Sequence, residues 1–334
     1  MTMNPPSSAS RQRPIVGTII GDPCGIGPEV VVNSWLSGVA HEVSTPVLIG
    51  SAAVIEGTLR QSGSAIKTRK LESASEATGS RDVIEVIDDI PFDVADIQTG
   101  TTVTASGYAS GKWIEHAENL VKSGDLAAMV IGPIDTTAMK QAGVINTLTP
   151  MIPGKTCLFL ASGPLRIAHV TDHVSLREVC DIISAEIIRD SVKILADSLE
   201  RCGIKNPRIG VAGLNPHAQG KEDREQIAPG VAQARASGIN VEGPLSPDAV
   251  FRQCIEGKYD AVLAMYHDQG HIAIKTWGFA GNCVIVLGKP YPYLSVAHGV
   301  AYDIAGKGIA DFSMMQSAMV TAGWMASGKG FPPL

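Results

Sequence analysis

Aromatic side chains make up only 5% of the 334 residues, so there is little surface on which nucleic-acid bases could stack. No run of Lys and Arg occurs, and a net charge of -6 opposes a phosphate-backbone partner, which requires a concentrated basic face. The six cysteines (Cys24, Cys157, Cys180, Cys202, Cys254 and Cys283) include no Cys-x-x-Cys pair. Zinc-finger spacing and thioredoxin-type motifs are thereby excluded, and reduced thiols in the cytoplasm are expected. No apolar stretch approaches the roughly 18 residues of a membrane span. Residues 1–14 are rich in Ser, Pro and Asn and have no apolar h-region, so a disordered tail is expected there rather than a signal peptide.

What is present is the composition of a soluble enzyme, 45% hydrophobic and 18% charged, in a chain long enough for two packed lobes. Short β-rich runs alternate with segments of helical period, the pattern of parallel strands joined by crossover helices. Strands are predicted at residues 14–20, 46–50, 126–131, 167–171, 208–212, 261–265 and 283–287. Helices are predicted at 28–36, 106–122, 176–201, 222–236 and 311–325. The fold class is α/β, with residues 15–334 forming one catalytic unit of two intertwined lobes. Their boundary falls near 135–150, and the C-terminal helices can return to the first lobe. Residues 51–105 carry the weakest pattern.

The segment Gly21-Asp22-Pro23-Cys24-Gly25-Ile26-Gly27-Pro28-Glu29 follows an apolar strand and opens a helix. Its glycines permit close backbone approach and its helix start suits an anion, but the spacing is not that of a Rossmann fingerprint, and a tight structural turn fits equally well. His173, His217 and His267 each follow a predicted strand, at the carboxyl edge where α/β sheets bind ligands. Three imidazoles converging there could hold an open divalent site; three unrelated surface histidines are the competing reading. His169 falls within a strand, which argues against its chelating together with His173. His271 is a candidate to support the site or touch substrate. Lys275 can present a charge to a substrate carboxylate or remain a solvated strand-end lysine. Asp268 and Asp248 are candidates for orienting the imidazoles. The glycine-punctuated run from His298 to Ala310 can cradle a nucleotide or act as a plain connection.

At residues 21–29, Gly132-Pro133, Gly213-Leu214-Asn215-Pro216-His217-Ala218, Gly243-Pro244 with Asp248, residues 260–270 and residues 303–308, the sequence resembles the 4-hydroxythreonine-4-phosphate dehydrogenase family. The first and last of these segments are also similar to the isopropylmalate and isocitrate dehydrogenases. The resemblance implies an isocitrate/isopropylmalate dehydrogenase-like α/β/α fold with the active site in a cleft between two lobes. It also implies a homodimer sharing that site, NAD (or NADP) as hydride acceptor, and a divalent metal, Zn2+ ahead of Mg2+, Co2+ or Mn2+. It places the metal on His173, His217 and His267, a substrate contact on Lys275, and the nucleotide on the loop holding His298, Gly299, Asp303 and Gly306.

The chain also departs from the family. Lys155 stands where the family has a substrate-binding histidine, beside a retained Thr156; Thr136 stands in place of a lysine; Val284 and Tyr293 replace an asparagine and an arginine. Losing the arginine fork removes phosphate donors. The expectation is therefore oxidative decarboxylation of a non-phosphorylated carboxylate, a terephthalate-dihydrodiol-like cis-dihydrodiol. Lys155 and Lys275 would meet its carboxylates, and Val284 and Tyr293 would line an apolar wall. The alternative is 4-phosphohydroxythreonine or a threonate phosphate oxidised in the same way. More distant readings are a metal-dependent hydrolase or lyase working without NAD, and a non-catalytic ligand-binding relative.

Overall fold

A computed structural model describes residues 13–278 and 282–332; most of the expected N-terminal tail, residues 1–12, lies outside them. Twelve strands form one sheet: β1 (Ile15–Ile19), β2 (Thr45–Ile49), β3 (Lys67–Lys70), β4 (Val83–Ile87), β5 (Ala128–Ile131), β6 (Cys157–Ser162), β7 (Leu165–His169), β8 (Ile209–Ala212), β9 (Val241–Leu245), β10 (Ala261–Ala264), β11 (Cys283–Leu287) and β12 (Tyr293–Ser295). Their order across the sheet is β3-β4-β2-β1-β5-β12-β11-β6-β7-β10-β8-β9. The helices are α1 (Gly27–Leu36), α2 (Ala52–Gln61), α3 (Thr104–Ser123), α4 (Thr136–Gln141), α5 (Leu176–Ile182), α6 (Ala185–Arg201), α7 (Ala228–Ala236), α8 (Val250–Ile255), α9 (His267–Trp277) and α10 (Ser313–Ala326).

The sheet is mixed, which corrects the expectation of parallel strands throughout. From β3 to β12 every neighbouring pair is parallel, as is every pair from β7 to β9. Between these halves, β12–β11, β11–β6 and β6–β7 are antiparallel. Three successive reversals leave β7, β10 and β8 running opposite to β1, β2 and β5. The carboxyl ends of the two halves therefore lie on opposite edges of the sheet.

Strands β1, β5 and β10 are apolar runs buried along their length, as expected of parallel strands covered on both faces. A main apolar cluster runs through both halves, and a second, centred on Leu160, Ile167, Val250 and Val262, fills the other face near β7 and β10. Trp35, Trp113 and Phe159 are among the largest fully buried side chains, each contributing roughly 1.5–3 kcal/mol through removal from water. Helix α10 packs on β1, β5, β11, β12 and α1. Among the described residues, no helix is long and apolar enough to cross a membrane.

The predicted helix over 176–201 is two helices. Ser175 caps α5 in a reciprocal capping box with Glu178, and the side chain of Ser184 accepts from Ile187 N to start α6, so a second cap interrupts the periodic run. The predicted helix over 222–236 opens on a π-helical turn at Asp223–Ile227 before α7. Residues 51–105 fold into α2, β3 and β4 with short helical turns; β3 is the polar edge strand Lys67–Lys70.

The turn at residues 21–29 is a structural hub. Asp22 N donates to Pro133 O, Gly100 N to Cys24 O and Ile26 N to Val300 O, while Glu29 Oε1 accepts Ala310 N at 2.9 Å. Gly21 holds φ +77°, and a Cβ there would strike the Pro133 carbonyl. Gly21→Ala combines left-handed strain with a backbone clash, so an equilibrium denaturation series should show a loss of about 2 kcal/mol or more. A loss below about 0.5 kcal/mol would contradict this close packing.

Candidate active site

β7, β10 and β8 are adjacent and parallel, so the segments leaving their carboxyl ends are neighbours. His173 follows β7, His217 follows β8, and His267 opens α9 after β10. Thr171 extends the pairing of the first two of these strands, its Oγ1 donating to Met265 O at 2.9 Å, which brings His173 beside His267 with ring centroids 4.9 Å apart. Single ligand atoms of Asp172, His173 and His267 all lie within 4.8 Å of one another.

Each of the two imidazoles has its own carboxylate. His173 Nδ1 lies 3.0 Å from Asp172 Oδ2, and His267 Nδ1 lies 2.7 Å from Asp268 Oδ1. A carboxylate on Nδ1 favours the tautomer with a proton there and leaves Nε2 as the donor to a metal. The hydrogen bond with His267 in turn holds the Asp268 carboxyl below its ordinary range.

α9 runs through the region where only a strand-end loop was expected, so Lys275 is helical rather than at a strand end. His267, His271 and Lys275 recur at four-residue spacing on one face. His271 stacks on His267 at a centroid distance of 3.7 Å, and its Nδ1 lies 3.1 Å from the His267 carbonyl. Burial, then the neighbouring His267, pulls the His271 pKa down to about 4. Gly270 lets the helix sit directly on His169, whose Nε2 occupies the place of a Cβ. His169 is buried, its Nδ1 lies 3.1 Å from Leu158 O, and desolvation pulls its pKa down to about 3. It supports the site as a neutral wall.

His217 stands apart from this cluster. It has φ 55° in a turn held by the buried Asp223, whose carboxylate accepts Leu214 N, Asn215 N and Gly220 N. It lines a groove of about 870 Å³ with Asp248, Phe251, Tyr266, Ile272 and Trp277. Asp248 faces His217 rather than His173 or His267, and accepts Ser246 Oγ at 2.5 Å. That hydrogen bond, with the nearby His217, lowers its pKa.

On the opposite sheet edge, the run from His298 to Gly308 docks on the hub turn. A Cβ at Gly25 would meet Val300, and Gly306 lies at φ +74° against Thr99. His298 Nε2 is buried without a partner, and Gly299 has open space around it. Tyr302 OH donates toward Asp135 Oδ2 at 2.8 Å and Asp22 Oδ2 at 3.3 Å. Burial raises the Asp22 pKa above its ordinary range; burial would do the same to Asp135, but hydrogen bonds from Thr102 and Tyr302 hold it low. The expectations from sequence missed this knot, and they missed Asp172 although it adjoins His173.

Lys155 and Lys275 are exposed. The Thr156 hydroxyl closes its own turn, donating to Pro150 O and accepting Ile152 N. Val284 pairs with Ser295 and Leu160 inside the sheet and packs on the second apolar cluster. Tyr293 is 3% exposed in β12. Tyr293 thus belongs to the sheet's core rather than to an exposed ring-lining wall, whereas Val284 is half-buried.

The pyridoxal phosphate biosynthetic protein PdxA family model matches residues 42–322. A Novosphingobium aromaticivorans protein provisionally named 4-hydroxythreonine-4-phosphate dehydrogenase is 50% identical over 97% of this chain and 98% of its own. A Clostridium botulinum protein with the provisional name D-threonate 4-phosphate dehydrogenase is 34% identical over 93% of this chain and 96% of its own. The crystal structure of 4-hydroxythreonine-4-phosphate dehydrogenase from Klebsiella pneumoniae superposes with a TM-score of 0.85 at 34% identity, covering 94% of this chain and 99% of that one. A terephthalate 1,2-cis-dihydrodiol dehydrogenase from Burkholderia xenovorans is more distant, with a TM-score of 0.67 at 28% identity over 93% of this chain and 98% of that one. These likenesses overturn the dihydrodiol expectation in favour of the phosphorylated alternative, and the burial of Tyr293 weakens its physical basis.

Because His169 keeps its depressed pKa only when folded, the unfolded chain binds a proton that the folded chain refuses between pH 6.5 and about 3. Stability should therefore fall as pH drops through this window, by up to roughly 5 kcal/mol from this group. Denaturant titrations of wild type and His169→Asn across the window should show a shallower slope for the variant; equal slopes would place the acid sensitivity elsewhere.

Proposed function

The chain belongs to the pyridoxal phosphate biosynthetic protein PdxA family, and from that premise we propose that this dehydrogenase oxidises the secondary hydroxyl of 4-hydroxythreonine 4-phosphate, or of threonate 4-phosphate, with a nicotinamide dinucleotide as hydride acceptor. The observation that carries the reading is the pair of carboxylate-tethered imidazoles, His173 and His267, meeting at the ends of adjacent strands. The buried, unpartnered Asp172 Oδ1 beside them and the nitrogen donor set fit a divalent cation, Zn2+ ahead of Mg2+, Co2+ or Mn2+. Such a cation supplies Lewis acidity, lowering the pKa of a substrate hydroxyl and stabilising negative charge on an adjacent oxygen.

The protein's own groups do the rest. Asp268 holds the His267 ring through Nδ1, and His271 stacks behind it, so the imidazole is fixed before ligands arrive. Lys275 and Lys155 are the cations available to the substrate's phosphate and carboxylate. Loss of CO2 follows in this reading, because oxidation places a ketone β to the carboxylate. The nucleotide is assigned to the loop with His298, Gly299, Asp303 and Gly306, where the orphaned His298 Nε2 and the open face of Gly299 fit a polar ligand. Six free cysteines accord with a cytoplasmic location.

Purified protein with divalent metal and NAD should form NADH from either phosphorylated substrate, and His267→Ala should lose bound metal and most turnover, several kcal/mol of barrier. Metal retained with near-normal turnover in that variant would refute the assignment; conversion of substrate without NADH would favour a hydrolase or lyase.

The site is also proposed to be shared in a homodimer. The histidine cluster and the nucleotide loop sit on opposite sheet edges, with β1 and β7 five strand spacings apart, roughly 24 Å. A second subunit can bring one subunit's loop to the other's cluster, with His217 contributed at the same interface. The groove beside His217, with Ile272 67% and Trp277 46% exposed, is the surface assigned to the partner. Mixing His267→Ala with the loop variant Gly306→Val, each inactive alone, should recover about a quarter of wild-type activity once subunits exchange at random. No recovery despite verified exchange would refute sharing.

A further inference from the structure

The geometry points to Asp172 as an additional, anionic oxygen ligand of the same divalent cation that His173 and His267 would hold. This rests on the metal reading above and deepens it. The two carboxylates beside the imidazoles differ in their surroundings. Asp268 has a side chain 73% exposed, so water can satisfy whatever its oxygens leave over. Asp172 has a side chain only 19% exposed. Its Oδ2 meets His173 Nδ1, while Oδ1 is buried with no hydrogen-bond partner. Withholding a carboxylate oxygen from water without a donor is costly, and a cation bound at that point removes the cost. Among the described residues, Asp172, His173 and His267 are the three whose ligand atoms converge within 4.8 Å. Bringing a carboxylate oxygen and two imidazole nitrogens from this spread onto one ion, at ordinary metal–ligand distances of about 2.0–2.2 Å, calls for side-chain rotation.

Two imidazoles and one carboxylate of one subunit, together with the His217 proposed to join at the interface, still leave two positions of a six-coordinate ion open for substrate oxygens. A hard oxygen ligand also tilts preference toward Mn2+ or Mg2+ compared with an all-imidazole set. Asp172 therefore sets which metal the protein prefers as well as how tightly it is held.

The test uses full-length protein stripped of metal by chelation and titrated calorimetrically with Mn2+, Co2+ and Zn2+, comparing wild type, Asp172→Asn and His267→Ala. Asp172→Asn should lose about tenfold or more in affinity for Mn2+ and less for Zn2+, and should shift the visible absorption of the Co2+ form, with the metal-free melting curve unchanged. An equal loss for all three metals with an unaltered Co2+ spectrum would mean that Asp172 only orients His173, overturning its role as a ligand. Wild-type affinities in Asp172→Asn, with binding still abolished in His267→Ala, would overturn it while leaving the histidine site standing. Unchanged binding in His267→Ala would overturn the metal reading and this inference together.

Discussion

The three antiparallel pairings at the centre of the sheet, β12–β11, β11–β6 and β6–β7, govern what one subunit can do alone. In an open α/β sheet, ligands gather at the carboxyl ends of strands. A sheet parallel throughout would place every such end on one edge. Reversing direction between the halves gives this chain two functional edges, one bearing the hub turn and glycine-rich loop, the other bearing the histidines. Oxidation by a dinucleotide demands contact between donor carbon and acceptor ring, and this separation is what motivates the proposal of a shared site.

Both edges are organised by buried carboxylates that accept backbone N–H groups. Asp22 takes Cys24 N at 2.7 Å and faces Ser106 and Tyr302, joining the first turn of the chain to a loop some 280 residues later. Asp223 does the same for the turn that holds His217 at a positive φ. Irregular backbone near a site needs partners for its polar groups, and a carboxylate can accept several at once. This is how loops rich in glycine keep one shape without bulky side chains to pack.

Much of this was legible in the sequence. The seven apolar runs predicted as strands all contain strands, and placing histidines after three of them locates the edge where His173 and His267 meet. Other elements were not legible: β4 (Val-Ile-Glu-Val-Ile) and β6 (Cys-Leu-Phe-Leu-Ala-Ser) went unpredicted although apolar, and others have little apolar content. β3, Lys-Thr-Arg-Lys at the sheet edge, and β12, three residues long, carry no alternation to read. The start of α9, His-Asp-Gln-Gly, looks like a loop because it contains a glycine and little hydrophobicity; contact with His169 explains that glycine. Tyr293 misled for a different reason. A substitution relative to a family pattern says which donor is lost, whereas whether the replacement faces ligand or core depends on strand pairing that spacing alone does not reveal.

The proposed phosphorylated substrate would impose a further demand on charge. Asp172 and Asp268 crowd the proposed metal site, and a phosphate dianion placed among them would be repelled, by roughly 1 kcal/mol per pair at 4 Å even in water and by more where solvent is excluded. These two carboxylates would favour a phosphate that lies nearer to a cationic side chain than to them. α9 supplies that separation. Eight residues at 1.5 Å each set Lys275 about 12 Å along the axis from His267, and its flexible stem can reach back over roughly half that length. Its charge already acts on His271, helping burial and His267 to keep that ring neutral. One helix thus carries a candidate metal donor at its first residue, an uncharged spacer one turn later and a cation after the second turn.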